Sequence, residues 1–196
     1  MFDKLIVITA PDFFRGEADT LNELFGAGLK RLHLRKPQGR RGEVEMLINE
    51  IDPKFRKLIA VHYHQELVTA MDLGGMHFSC PGSSETAVLT DKYTVSCSLH
   101  NWNELEEVQK KIDYCFMSPV FHSISKIGYP ANEALNKVPD FAKNVFALGG
   151  ITGANSHEVI DKGYSGLAVL GTIWEDRSQA LQRFKGLHEK LKAYGS

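Results

Sequence analysis

The chain has 196 residues, of which 43% are hydrophobic and 24% charged, as is typical of one folded domain covering residues 1–196. Its formal net charge of −1 argues against nucleic acid as a partner, because a polyanion is held by an excess of positive charge. No apolar run approaches the ~20 residues that cross a bilayer. Asp3 and Lys4 lie near the amino terminus, where a signal peptide would have an uninterrupted apolar stretch. Three cysteines without a CxxC pair suit a reducing compartment. We therefore expect a cytoplasmic protein without a membrane partner.

Short apolar runs recur along the whole chain and predict β-strands. They are continuous rather than alternating, as expected of parallel strands buried on both faces. The eight runs are 5–8, 31–34, 58–61, 75–78, 93–97, 114–117, 145–148 and 166–170.

Most segments between these runs show helical spacing of apolar residues, clearest in 18–25, 44–51 and 181–191. Asn101 and Asn155 each precede a glutamate by three positions, which predicts helix starts near Trp102 and Ser156. Alternation of eight strands with helices predicts an α/β fold, a single closed (β/α)8 TIM barrel, with an open doubly wound sheet as the alternative.

Reactive side chains of such a barrel lie after the strands, at the carboxyl-terminal mouth. His33 and Arg35 are two positions apart at the end of the second strand, so both side chains are expected to point into the barrel. A guanidinium there is well suited to bind phosphate oxygens. His62 and His64 follow the third strand and His77 lies in the fourth, so four imidazoles approach one another. Such a cluster suits a transition metal, as in a hydrolase, although strand-end histidines more often satisfy buried polar groups or bind substrate and no HExxH motif is present.

The remaining strand ends carry residues that suit an anion. Ser98 and His100 follow the fifth strand. The loop after the sixth strand combines hydroxyls with an ammonium group, at Ser123, Ser125 and Lys126.

Glycines follow the last two strands, at Gly149 and Gly150 and then at Gly171, between Leu170 and Thr172. Without a Cβ, their backbone amides can approach a ligand closely, and this pair of loops is the usual phosphate site of barrels. The sequence thus predicts a phosphorylated small molecule as ligand.

In this order the residues resemble the thiamin phosphate synthase and thiazole tautomerase superfamily, collinearly from the first strand to Ile173. The resemblance implies a (β/α)8 barrel that joins a pyrimidine methyl diphosphate to a thiazole phosphate with release of pyrophosphate and help from magnesium. It is carried by Leu34-Arg35, Gly75-Met76-His77, Ser98-Leu99-His100, Asp113-Tyr114, Ser118-Pro119-Val120-Phe121, Ser123-Ile124-Ser125-Lys126 and Gly149-Gly150-Ile151-Thr152 with Asn155.

The resemblance also assigns roles to the candidate residues. It gives Arg35, Lys36 and Lys126 to the diphosphate. It assigns binding of the pyrimidine to His33, His62 and Ser98. His33 and His62 stand at positions where the family has glutamine and asparagine, respectively. The thiazole phosphate would meet hydroxyls and backbone amides at Ser123, Ser125, Gly150, Leu170 and Gly171.

Two departures concern magnesium. The two aspartates that bind it in the family correspond to Tyr63 and Gly82. In one alternative, the metal comes with the diphosphate and has few protein ligands, with Glu66 or Glu85 as the carboxylates that approach it. In another, cationic side chains and protonated histidines supply the positive charge instead of the metal. Alternatively the synthase activity has been lost.

The tautomerase branch needs an acid–base imidazole and no magnesium. Its histidine corresponds to Pro119, which leaves His122 or His100 as the proton shuttle. A protein that binds a thiamin-related phosphate without turning it over is a third alternative. Barrels of this family often pair, so a homodimer is one expected assembly.

Overall fold

Eight parallel strands pair in chain order and close into a barrel. Contact between the first and last strands, with Leu5 opposite Leu167, makes the closure, so the TIM barrel is confirmed and the open sheet excluded. Every predicted apolar run overlaps a strand. The computed structural model describes residues 3–79, 92–122 and 130–194. The strands are β1 Leu5–Ile8, β2 Leu32–Leu34, β3 Ile59–Val61, β4 Gly75–Phe78, β5 Thr94–Leu99, β6 Tyr114–Met117, β7 Val145–Leu148 and β8 Gly166–Val169.

Helices cover the outside of the barrel. Two of the predicted helix starts are confirmed, at Trp102 and Ser156. Within the described ranges, no helix is long and apolar enough to span a bilayer. The α-helices are α1 Glu17–Gly26, α2 Arg41–Glu50, α3 Glu66–Ala70, α4 Trp102–Val108, α5 Ser156–Asp161, α6 Gly171–Trp174 and α7 Ala180–Ala193. Short 3-10 turns cover Pro53–Leu58, Glu133–Leu135 and Arg177–Gln179.

The two asparagines predicted as helix caps behave differently. Asn101 accepts a hydrogen bond from the Glu104 backbone N–H at 3.0 Å, as expected of a capping residue. Asn155 instead accepts from the Thr152 backbone N–H at 2.7 Å and donates to the Gly150 carbonyl at 3.0 Å. Its side chain therefore stabilises the loop after β7 rather than the start of α5.

The inside of the barrel is divided by polarity. Alternate residues of each strand point inward, and one sector is filled by apolar side chains from β1, β6, β7 and β8. The opposite sector, from β2 to β5, places His33, His77 and Ser96 inside, all at most 2% exposed. This division gives the mouth a polar floor on one side. The apolar cluster consists of Ile6, Ile8, Tyr114, Phe116, Phe146 and Ala168.

Candidate active site

A cavity of about 760 Å³ opens at the carboxyl-terminal mouth of the barrel. Every strand, or the segment that follows it, contributes to its wall, and its size suits a small-molecule ligand. The lining residues are Ile8, Ala10, Pro11, Asp12, Arg35, His62, Tyr63, His77, Ser79, Ser98, His100, Phe116, Ser118, Leu148, Leu170, Gly171, Trp174, Glu175 and Arg177.

Seven predicted site residues line this cavity: Arg35, His62, His77, Ser98, His100, Leu170 and Gly171. Arg35 is held there by Thr9, a fully buried residue that follows β1. The Thr9 hydroxyl accepts from the Arg35 backbone N–H at 2.9 Å and donates to the Arg35 carbonyl at 3.2 Å. The backbone that carries the guanidinium is thus fixed on both sides of its Cα.

Three imidazoles form the polar floor. His33 is fully buried; its Nδ1 lies 3.0 Å from His62 Nε2, and its Nε2 lies 2.6 Å from the Tyr114 hydroxyl. The His62 and His77 rings stack with centroids 4.1 Å apart. His33 therefore lies behind the cavity wall and acts through His62 rather than by contact with a ligand.

Two serines hold His77. The Ser96 hydroxyl lies 2.9 Å from His77 Nδ1 and donates to the Met76 carbonyl at 3.2 Å. Since that carbonyl can only accept, Ser96 accepts from His77 Nδ1–H, and His77 Nε2 carries the lone pair. Nε2 lies 2.8 Å from the Ser98 hydroxyl, which is the donor of that bond.

Burial keeps this floor uncharged. It is the main cause that lowers the pKa of His33 and of His77 well below the usual value, and together with nearby Arg35 it lowers the pKa of His62 to about 3. The expectation that protonated histidines supply positive charge is therefore wrong for these three. Among the described residues of the cavity wall, positive charge comes from Arg35 and Arg177.

The assignment of Lys36 to the diphosphate needs correction. Its Nζ donates to the carbonyls of Ala10 at 2.9 Å and Asp12 at 2.8 Å, and to Glu17 Oε1 at 2.6 Å. An ammonium group has three donors, so all are used inside the protein. Lys36 is one residue beyond Arg35 and therefore faces the other way, where it holds the loop after β1 instead of a ligand.

Two further histidines lie away from the cavity wall. His64 donates from Nε2 to the Gly39 carbonyl at 2.9 Å and lies 3.7 Å from Glu66, so it stays apart from the three-imidazole floor. His122 is exposed, and its Nδ1 accepts from the Ala131 backbone N–H at 3.3 Å. Predictions for Gly82, Glu85, Ser123, Ser125 and Lys126 lie outside the described residues.

Gly149 and Gly150 have positive φ angles of 99° and 65°, and the structure shows why glycine is needed there. A Cβ on Gly150 would lie 2.2 Å from the His122 carbonyl oxygen, and one on Gly149 would lie 3.1 Å from Pro119. These glycines let the loops after β6 and β7 touch, while β7 itself supplies Leu148 to the cavity wall.

Thr172 faces a neighbouring cavity of about 430 Å³. Its hydroxyl donates to the Ile151 carbonyl. It therefore connects the loops after β7 and β8 from outside the main cavity.

The comparisons with known proteins agree with this architecture. The family described as thiamine monophosphate synthase matches residues 5–173. The chain belongs to this family. A thiamine phosphate pyrophosphorylase of Bacteroides thetaiotaomicron of known structure is 33% identical with a TM-score of 0.82, covering 97% of this chain and 98% of that one.

Two further relatives extend the family comparison. The thiamine-phosphate synthase of Dictyoglomus turgidum is 26% identical over 81% of this chain and 76% of its own length. That of Hydrogenobaculum sp. is 24% identical over 95% and 94% of the two chains.

The described residues do not suit a magnesium ion held by the protein. Magnesium prefers oxygen ligands, usually carboxylates, but Tyr63 stands at one of the two positions to which the family resemblance assigns a magnesium-binding aspartate. Carboxylates of the described wall are Asp12 and Glu175. Both are paired, Asp12 with Arg177 at 2.6 Å and Glu175 with Arg183 at 3.3 Å.

Sequence reasoning missed several residues of the mouth. Asp12 and Arg177 lie 165 positions apart in sequence and meet at the cavity rim. Trp174 donates from Nε1 to the Ile8 carbonyl at 2.6 Å. The position of Asp12 after the first strand was an available signal, since barrel sites use the loop after every strand.

Proposed function

We propose that this family member is a thiamin phosphate synthase-like transferase of thiamin biosynthesis. It would join a hydroxymethylpyrimidine diphosphate to a thiazole phosphate and release pyrophosphate. The observation that supports this best is the division of the cavity, which places the Arg35 guanidinium beside an uncharged floor that includes His62 and Ser98. A substrate with an anionic end and a neutral heteroaromatic end matches that division.

Arg35 has the central electrostatic role in this proposal. The pyrimidine carbon–oxygen bond breaks as the new bond to the thiazole forms, and the electron pair leaves with the diphosphate. A guanidinium that faces the departing diphosphate stabilises that growing negative charge through its planar set of donors. Arg35 is suited to this because Thr9 fixes its backbone. The family resemblance assigns Lys126 to the same diphosphate.

The other residues position the two rings. His62 and Ser98 offer neutral hydrogen-bonding groups for the pyrimidine nitrogens, and a neutral imidazole does not repel a ring that gains positive charge. Gly171 begins the short helix α6 and has no Cβ, so its backbone can approach the thiazole phosphate closely. No covalent nucleophile is required, so catalysis consists of orientation and charge stabilisation.

We infer that magnesium reaches this site on the diphosphate oxygens, because both carboxylates of the described wall are already paired. We also infer a cytoplasmic location, which the buried free thiols of Cys97 and Cys115 support. The homodimer stays a prediction.

The direct test supplies both substrates and follows thiamin phosphate while magnesium is varied from chelated to millimolar concentrations. We expect product that depends on both substrates and falls in an Arg35→Ala variant. Absence of product above background at every magnesium concentration would overturn the transferase assignment. Saturable binding of the substrates without turnover would instead identify a binding protein.

One observation favours a thiazole tautomerase as a second candidate. His100 lines the cavity and donates from Nδ1 to the Ser118 carbonyl at 2.8 Å, so its Nε2 carries the lone pair of a base. This function predicts conversion of a thiazole carboxylate phosphate that persists with chelator and is lost in His100→Ala. His122→Ala is the matched control, because His122 lies away from the described wall. Full activity of His100→Ala would exclude His100 as the base.

A further inference from the structure

We propose that His33, His62 and His77 form a binding site for a divalent transition metal ion of the zinc class in the cavity floor. One ring nitrogen from each residue lies within 4.8 Å of the other two. His33 Nδ1 and His62 Nε2 already face each other at 3.0 Å. Two imidazole nitrogens on a tetrahedral zinc, each about 2.0–2.1 Å from the metal, lie roughly 3.3 Å apart. The cluster is thus close to the size of a three-histidine site.

The hydrogen bonds behind the cluster match those that support metal ligands. A ligating histidine usually donates its second ring N–H to a neighbouring oxygen, which fixes the tautomer and the ring orientation. His77 does so from Nδ1 to Ser96, leaving Nε2 with its lone pair. His33 has the Tyr114 hydroxyl 2.6 Å from Nε2, so donation there directs the lone pair of Nδ1 toward His62.

The donor set selects the class of ion. Three neutral imidazoles without a carboxylate suit zinc, copper, nickel or iron, and not magnesium. The site therefore differs in chemistry from the magnesium-binding carboxylates that the family resemblance implies.

Binding requires a tautomer change at His62, whose Nε2–H donates to His33 Nδ1 in the metal-free protein, and one local movement. The rings of His62 and His77 are stacked, with 28° between their planes, whereas His33 is edge-on to both at 78°. Lone pairs lie in the ring planes, so one stacked ring must tilt for all three to converge. His62 lies just after β3, is partly exposed and lines the cavity, so its ring is the one placed to move. The fourth coordination position would then face the cavity, beside Ser98.

Metal binding can be measured without any substrate, so its failure is separable from failure of the transferase proposal. Cobalt(II) is the probe, because its visible spectrum reports coordination by nitrogen ligands in a four-coordinate site. We expect chelator-treated protein to bind one cobalt ion per chain, with visible bands that zinc displaces and millimolar magnesium does not. Absence of these bands at millimolar cobalt would overturn the proposal.

Variants then test which histidines are the ligands. His62→Ala is expected to weaken cobalt affinity at least tenfold, and Tyr114→Phe by about tenfold, as for loss of a supporting hydrogen bond. His64→Ala is the matched control, because His64 is bound to the Gly39 carbonyl and lies outside the cluster; it should bind as the parent does. Equal affinity of His62→Ala and the parent would exclude the site.

A second measurement uses the parent protein alone, so it does not depend on whether the variants fold. X-ray absorption of the cobalt-loaded parent protein should show three imidazole ligands at the metal. A first shell of oxygen atoms alone would identify surface binding and overturn the proposal.

Discussion

Lys36 Nζ lies 2.6 Å from Glu17 Oε1, and the two side chains are 0% and 2% exposed. Glu17 Oε2 is buried without a hydrogen-bond partner, so this carboxylate depends on Lys36. The pair anchors the loop after β1, because Lys36 also binds the carbonyls of Ala10 and Asp12. Lys36, although adjacent in sequence to the predicted phosphate-binding residue Arg35, thus has a structural role.

Loss of Lys36 should destabilise the fold strongly. In Lys36→Met the buried carboxylate loses its partner, for which we expect a loss of about 3–5 kcal/mol in the free energy of unfolding. Urea denaturation measures it. Lys36→Met combined with Glu17→Leu should recover most of the loss. Arg41→Met, which breaks exposed pairs with Glu45 and Glu66, should change stability by less than about 1 kcal/mol. A similarly small effect of Lys36→Met would contradict the argument.

Arg35 should matter for substrate and little for stability. Removal of a charged hydrogen-bond donor costs about 1.5–3 kcal/mol, so Arg35→Ala should lower kcat/KM for the diphosphate substrate by roughly 10- to 100-fold, since ~1.4 kcal/mol is a factor of ten. Steady-state kinetics checks this. Arg40→Ala is the control, because Arg40 is 89% exposed and pairs with Glu43. Equal kinetics of the two variants would remove Arg35 from the site.

Gly150→Ala should damage the mouth through packing. At φ +65°, with the new Cβ only 2.2 Å from the His122 carbonyl, alanine strains the backbone and separates the loops after β6 and β7. We expect a loss of more than about 1 kcal/mol in unfolding free energy, together with reduced activity. Gly42→Ala, in α2 with open space around the new Cβ, should stabilise by about 0.5–1 kcal/mol. If both variants were equally stable, close loop contact would not be the reason for glycine.

His188 should make stability depend on pH. Burial lowers its pKa in the folded protein and Lys192 adds to this, although Asp3 opposes it. The unfolded state, with a pKa of about 6.5, therefore binds the proton more readily. His188 thus favours folding above that pH, and the benefit is lost as pH falls through the lowered folded value.

The measurement compares the parent with His188→Gln by urea unfolding at several pH values on either side of 6.5, in the presence of chelator. The stability difference in favour of the parent should shrink as the pH falls. The three imidazoles of the cavity floor are present in both proteins and cancel in this difference. A difference that stays constant with pH would contradict the assignment.

The strands were predictable because their signal is local. Each apolar run, such as Leu5–Ile8 or Tyr114–Met117, is buried on both faces, and eight of them alternating with helices leave few ways to close a sheet. Parity also placed Arg35 at the mouth. The resemblance assigned Lys36 to the diphosphate, and only its contacts in the structure showed that it faces the other way.

The sequence by itself determined the strands, the barrel and the strand ends that carry polar residues, because hydrophobic burial and backbone parity act over a few neighbouring positions. Only the tertiary structure decided what those polar residues do. His33 meets a hydroxyl 81 positions away at Tyr114, and Asp12 meets Arg177 across 165 positions. Charge state and hydrogen-bond partners depend on such distant neighbours, because burial and the local field arise only when the barrel closes.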